Sequence, residues 1–352
     1  MNKQGTPDLS SLPLDKCHFN FIGEGAANLV FEVVIDPSPE VKIDENVKAI
    51  FRENLLRVPK AGAKTHPHQE LQQHWETVIS PLFPPQNLVQ QRLIKIGGPS
   101  VISQLNSALD QETETRRHEF KDTRVANAEY GMLVEDMRAK SPTSLAIEFK
   151  PKWLAQSPNA PPKAARCRTC AREALRSHKK GGKLKNIPCP LHYVACNDND
   201  SDTSSPPSKS RSLTTLLTSL LPPSSSSSSS TTTTSDPHSH LTNWFRTNSL
   251  LPALRQAQLS NDTTGPLDPK NNPEKLALAM TLRDCSVFLR IPISDDPKAQ
   301  VEAKLADLDK KDIGRKLEYW RELETDMIQG GYYEGKETPR QKTNCFFESF
   351  GK

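Results

Sequence analysis

The 352-residue sequence predicts a two-lobed α+β fold, and three observations predict it. Near the start, "FNFIGEGAANLVFEVVI" (19–35) sets aromatic and β-branched residues on both sides of a Gly-containing turn, the pattern of paired strands. Far downstream, from Gln300 to Gln329, apolar residues recur with helical spacing and Gly330-Gly331 follows as a stop signal. The length suits two ordinary domains or one bilobal unit.

The remaining elements follow in order. "NLLRVPK" (54–60) reads as a strand, "HQELQQHWETVISPLF" (68–83) as a helix, and "EYGMLVEDM" (129–137) as a strand ending in acids. These place an N-lobe at 1–138 and a C-lobe at 139–352. Residues 197–240 carry seven consecutive serines and four threonines, a composition that cannot bury enough apolar surface to offset chain entropy. The whole segment is therefore expected to be a disordered insertion in the C-lobe. Helical spacing resumes at "LTNWFRTNSLLPALRQAQ" (241–258), and "LALAMTLRDCSVFLRIPI" (276–293) reads as a hairpin turning near Arg283 and Asp284.

Composition narrows the class of protein. A hydrophobic share of 35% with 29 prolines describes a globular chain diluted by irregular segments. No apolar run suggests a secretory signal or a membrane span. Seven cysteines, an odd number in a mid-sized chain, do not form the framework of a secreted disulfide protein. The expected setting is the nucleus or cytoplasm. Net charge is only +4, but residues 150–185 hold eleven Lys/Arg against one acid, Glu173. Nucleic acid, a polyphosphate or plain solvent would each suit that stretch.

Several motifs carry candidate chemistry. In "EFKPK" (148–152), Pro151 biases Lys150 toward extended backbone, so Glu148, Lys150 and Lys152 are expected on one face with Phe149 on the other. Two ammonium groups at that spacing suit a multiply charged anion; a solvated lysine pair has the same sequence. "GEGAAN" begins at Gly23, and a turn with Gly23 and Gly25 can bring backbone N–H groups to phosphates. Asn28 stands at the third glycine position. Arg57, in preference to Lys60, is the cation offered by the next strand, with Glu76 as a pairing partner. Glu135 and Met137 lie in the stretch that would pass beneath an adenine. No H-R-D or D-F-G occurs, which excludes an ordinary protein kinase. Asp284 precedes an apolar strand, where a carboxylate can hold Mg²⁺. Lys311, Arg315 and Tyr319 recur every four residues on one expected helical ridge, with Ile313, Leu317 and Trp320 opposite. Cys167, Cys170, Cys189 and His192 have plausible zinc spacing, with Cys196 as a spare ligand.

Together these stretches resemble the inositol-pentakisphosphate 2-kinases, particularly the short fungal type. "EFKPK" matches the family's E-x-K-P-K signature, and "GEGAAN" its nucleotide loop. "CRTC" and "CPLH" look like its C-x-x-C and C-P-L-D segments, with His192 where Asp is usual. "RDCS" matches its D-C-S strand, and "DLDKKDIGRKLEYW" its terminal helix. The resemblance implies a distantly protein-kinase-like fold, with an antiparallel N-lobe sheet and an elaborated mixed C-lobe. It implies transfer of the ATP γ-phosphoryl group to the 2-hydroxyl of inositol 1,3,4,5,6-pentakisphosphate. Lys150, Lys152, Lys311, Arg315 and Tyr319 then fall on the substrate phosphates, and Gly23, Glu24, Gly25, Asn28, Arg57, Glu135 and Met137 on the nucleotide. Asp284 and Lys150 take the catalytic roles, with Mg²⁺ at Asp284 and at Glu148. The expected partners are ATP and inositol pentakisphosphate, with no membrane, no obligate nucleic acid and a monomeric chain. Two other readings are a zinc-containing nucleic-acid-binding protein using residues 150–185 and a kinase for another inositol phosphate.

Overall fold

The computed structural model describes residues 6–36, 43–140, 142–182, 187–198, 206–221, 237–269, 272–294, 296 and 298–350. The fold is α+β, and its chain divides into two compact units, Met1–Pro81 with Val89–Asp136, and Leu82–Leu88 with Met137–Lys352.

The first unit is built on an antiparallel five-stranded sheet. Its strands are β1 (Cys17–Glu24), β2 (Asn28–Ile35), β3 (Asn54–Pro59), β4 (Gln91–Lys95) and β5 (Tyr130–Glu135), in the order β1-β2-β3-β5-β4. Leu29, Phe31, Leu56, Val58, Ile94 and Leu133 bury the inner face of the sheet. The helix α3 (Pro99–Gln111) supplies Val101, Leu105 and Leu109 to the same core. Two further helices, α1 (Glu45–Arg52) and α2 (His68–His74), complete the unit, and α2 runs on as a π-helical turn over Trp75–Ile79.

The second unit carries a three-stranded antiparallel sheet of β6 (Ser144–Phe149), β7 (Ser286–Pro292) and β8 (Glu302–Ala306), with β7 central. Around it lie α4 (Arg168–Lys179), α5 (Leu191–Ala195), α6 (Pro206–Leu220), α7 (Pro237–Thr247), α8 (Leu250–Asn261), α9 (Pro273–Leu282), α10 (Ile313–Gln329) and α11 (Phe346–Phe350). The excursion Leu82–Leu88 joins this unit through a bridge from Leu88 to Leu305 and a bond from Asn87 Nδ2 to Ala303 O of 3.2 Å. No described helix is long and apolar enough to cross a membrane.

The structure corrects four expectations. The hairpin read at 276–293 is helix α9 followed by strand β7. Asn272 caps that helix by accepting from Lys275 N at 3.0 Å, Pro273 starts it, and "LALAM" is made of strong helix formers. Because α9 buries most of its residues, it shows no helical stripe. The helix expected from Gln300 is preceded by strand β8, whose Ala303 and Leu305 alternate inward. The insertion at 197–240 contains α6 and the start of α7, because Leu213, Leu216 and Leu221 form a buried edge within the Thr/Ser background. The serine and threonine tract itself lies outside the described residues. Finally, β6 stops at Phe149, and Lys152 adopts a left-handed φ of 56°, so "EFKPK" is not extended throughout.

Candidate functional site

Three lysines converge on one aspartate in the second unit. Asp284 sits between α9 and β7, where the helix ends and the chain enters the central strand. Lys152 Nζ donates to Asp284 Oδ1 at 2.9 Å, and Lys311 Nζ to Oδ2 at 2.9 Å. Lys150 Nζ donates to the Asp284 carbonyl at 2.8 Å and to Asp307 Oδ2 at 2.7 Å. Across the left-handed turn at Lys152, the two lysines of "EFKPK" meet at one residue, Lys152 on the Asp284 carboxylate and Lys150 on its carbonyl. Asp307 is also left-handed, with φ of 57°. Two non-glycine residues in this sparsely populated conformation, each costing about 1–3 kcal/mol, both contact the lysine cluster.

Electrostatics follow from this packing. Burial opposes ionisation of Asp284, but the Lys311 and Lys152 charges and hydrogen bonds outweigh it and hold the carboxyl well below the usual range. Burial likewise lowers the Lys150 ammonium, and Asp307 more than restores it. Burial pushes the Cys285 thiol up to about 12, so no thiolate competes for the lysines. Glu148 is exposed at the end of β6 and accepts from Ser286 Oγ at 2.7 Å.

Asp284, Lys152 and Lys311 line a cavity of about 180 Å³ together with Tyr319. Lys311 precedes α10, whose N-cap is Asp312, so the expected four-residue ridge starts one step before the helix. Trp320, Ile313 and Leu317 pack on Trp153, Leu276 and Met280, which anchors α10 as expected. Arg315 pairs with Asp312 at 3.1 Å, and neither Lys150 nor Arg315 belongs to the cavity wall. Sequence reasoning missed Arg168, Arg172, Arg283 and Lys316, all in that wall. The signal available was helical spacing within 150–185, where Arg168 and Arg172 are four residues apart.

The first unit gathers the glycine turn and Arg57. An added Cβ at Gly23 or Gly25 would meet nothing within 4 Å, so this backbone has an open face. The Gly25 N–H is itself used within the turn, donating to Asn28 O at 3.0 Å. With its amide oxygen turned toward Arg57, Asn28 accepts from Arg57 Nη2 at 2.6 Å and donates to His68 Nε2 at 3.1 Å. Glu76 accepts from Gln72 at 2.8 Å. Glu135 closes β5 and accepts from Gln90 N at 3.1 Å, while Met137 is buried at the start of the second unit.

Glu24 is turned inward, accepting from Arg116 at 3.1 Å through both carboxylate oxygens and pairing with Lys60 at 2.6 Å. Lys60 in turn lies 3.5 Å over the Phe120 ring. Glu24 thus braces the turn instead of facing outward, and Lys60 is committed to it. Glu24→Gln is expected to cost about 3 kcal/mol or more in urea unfolding, because two buried cations lose their shared counter-charge.

A separate buried cluster joins Cys167, Cys170, Cys189 and Cys345, whose Sγ atoms all lie within 4.8 Å of one another. Cys167 and Cys189 are 3.5 Å apart, and Cys189 and Cys345 4.0 Å. A tetrahedral ion with bonds of about 2.3 Å to sulfur needs sulfurs about 3.8 Å apart. The fourth member is Cys345, not His192 as expected. His192 Nδ1 is engaged with Ser212 Oγ at 2.9 Å, and its ring stands edge-on to Phe346. Cys196 lies outside the cluster, donating to backbone carbonyls of Tyr193 and Phe245. Cys345 comes from 156 residues beyond Cys189, so local spacing could not reveal it.

The family model described as inositol-pentakisphosphate 2-kinase matches residues 21–326, a span that includes the lysine–aspartate cluster and the glycine turn. The chain belongs to the inositol-pentakisphosphate 2-kinase family. A relative named inositol-pentakisphosphate 2-kinase, from Yarrowia lipolytica (strain CLIB 122 / E 150), is 31% identical over 209 residues. That alignment covers 58% of this chain and 58% of the relative. Cys345 lies beyond the stretch that the family model matches.

Proposed function

We propose that the chain transfers the γ-phosphoryl group of ATP to the 2-hydroxyl of inositol 1,3,4,5,6-pentakisphosphate, giving the hexakisphosphate. The observation that carries this reading is the Asp284 carboxylate gripped by Lys152 and Lys311 at the edge of a cationic cavity. Asp284 stays ionised, so it is available to accept the hydroxyl proton and to orient the attacking oxygen. Lys150, Lys152, Lys311, Arg315 and Tyr319 exchange water on the substrate phosphates for charge-assisted hydrogen bonds. Phosphoryl transfer depends mainly on positioning and charge neutralisation, which a site of this composition can supply.

In the first unit, the open backbone at Gly23 and Gly25 with Asn28 and Arg57 is assigned to the nucleotide, within a protein-kinase-like two-lobed arrangement. Glu24 is a positioning residue. Mg²⁺ takes oxygen ligands, and the half-exposed Asp284 carboxylate with nearby Glu148 offers them. When bound, the ion would neutralise charge on the transferring phosphoryl group. The four-cysteine cluster has the sulfur separations of a structural zinc site, and zinc there would tie α4 to the segment carrying Cys345. All seven cysteines are free and buried, which suits the nucleus or cytoplasm.

The nucleic-acid reading loses support because two arginines of its basic segment are turned inward. Arg166 is fully buried against Glu337 and Glu348, and Arg168 against Glu324. The kinase reading is tested by offering Mg·ATP with a panel of inositol tetrakis- and pentakisphosphates and resolving products by anion exchange. The expected preferred acceptor is the 1,3,4,5,6-pentakisphosphate. Faster turnover of a tetrakisphosphate would replace it with the other-kinase reading.

A further inference from the structure

We propose that Arg172 is a specificity-determining phosphate clamp of the cavity, preset by Arg168 behind it. This rests on the reading of the cavity as an inositol polyphosphate site. Four other cations of the wall already have carboxylate partners. Lys152 and Lys311 share Asp284, Arg168 Nε donates to Glu324 at 2.7 Å, and Arg283 Nη1 donates to Asp262 at 2.5 Å. Among the described residues, Arg172 and Lys316 have no ion pair to an acid, and both line the cavity. A phosphate monoester carries about −1.5 to −2 at pH 7, so five on one ring carry about −8 to −10. Cations with no carboxylate partner are the ones free to meet that charge without first giving up an ion pair.

Arg172 differs from Lys316 in how firmly it is held. Lys316 is exposed on α10. Arg172 is half-buried in the first turns of α4, one turn beyond Arg168 on the same face. Arg168 lies 4.2 Å over the Trp153 ring, and Arg283 lies 3.4 Å over that ring. Glu324, fully buried, also accepts from Ser157 Oγ at 2.8 Å and Tyr333 OH at 2.6 Å. The first turn of α4 is thereby fixed by Arg168 on one residue and by the cysteine cluster through Cys167 and Cys170 on its neighbours. A guanidinium on a rigid support presents a planar fork that suits two phosphate oxygens at once, which an ammonium cannot reproduce. The functional consequence is discrimination by phosphate position: Arg172 rewards a ring that bears a phosphate on its side.

The test is calorimetric binding of inositol pentakisphosphate and of individual tetrakisphosphate isomers to wild type, Arg172→Gln and Arg172→Lys, with turnover measured in parallel. Arg172→Gln is expected to weaken pentakisphosphate binding about tenfold or more. Arg172→Lys is expected to recover part of the loss, and KM for ATP to stay at the wild-type value. One tetrakisphosphate isomer, lacking the phosphate Arg172 holds, is expected to bind wild type and Arg172→Gln alike. Equal pentakisphosphate affinity in the two proteins overturns the proposal, as does an equal loss for every isomer, which marks a merely structural effect. Wild type that binds no pentakisphosphate also overturns it. Wild type that binds but does not phosphorylate defeats the kinase reading, while the Arg172→Gln loss would still uphold the clamp.

Discussion

Asp284→Asn is expected to lower turnover by about 10²–10⁴-fold, the usual contribution of a positioned proton acceptor. The variant keeps the shape of the side chain but removes the charge that Lys152 and Lys311 share. Substrate affinity should fall far less, because those lysines, released from the carboxylate, remain free to hold phosphates. A steady-state assay of initial rate against pentakisphosphate concentration separates the two effects. The pH dependence has a definite sign. The folded Asp284 carboxyl is depressed below its ordinary 3.8, so its ion pairs contribute stability above that value and lose it as pH falls further. An acid limb in the rate profile near neutrality must therefore come from another group, such as a substrate phosphate.

With zinc proposed at the four-cysteine cluster, Cys345→Ser is expected to abolish zinc binding and to lower stability by about 3 kcal/mol or more, because metal binding energy is folding energy. The four thiols are buried, and the fourth is drawn from the far end of the second unit, so losing it also loosens α11 and its neighbours. His192→Ala is expected to keep zinc, losing only its bond to Ser212. Metal content by atomic emission, with thermal unfolding of the same samples, distinguishes the two variants. Zinc retained in Cys345→Ser and lost in His192→Ala would reverse the assignment.

The contrast between those two residues shows what a linear sequence can disclose. Short-range signals survived: the strand pair around Gly23, the lysines flanking Pro151, and the apolar face of α10 were all legible from periodicity and proline placement. Contacts made by distant segments were not. Cys345 reaches the cluster only because the chain after α10 folds back around Arg166, which bonds Glu337, Glu348 and the carbonyls of Tyr332 and Gln341. Local spacing offered His192 instead, since it sits three residues from Cys189.

Helix α9 was misread for a different reason. Burial of most of its residues removes amphipathic contrast, so a buried helix and a buried strand look alike until caps are considered. Asn272-Pro273 was the available clue. Within the site, the backbone of "EFKPK" departs from the extended form expected, because nothing in the sequence announces a left-handed lysine at 152. The bracing contact of Glu24 was not legible either, since its partner Arg116 lies 92 residues away.

On the proposed function, the Asp284 cluster directs a phosphoryl group to the one free ring hydroxyl of inositol 1,3,4,5,6-pentakisphosphate. Phosphorus NMR of the product formed by wild-type protein with Mg·ATP tests this most directly. The expected product has a sixth monoester phosphate and a mirror-symmetric ring. Phosphoanhydride signals, or pentakisphosphate left unchanged by folded protein, would contradict it.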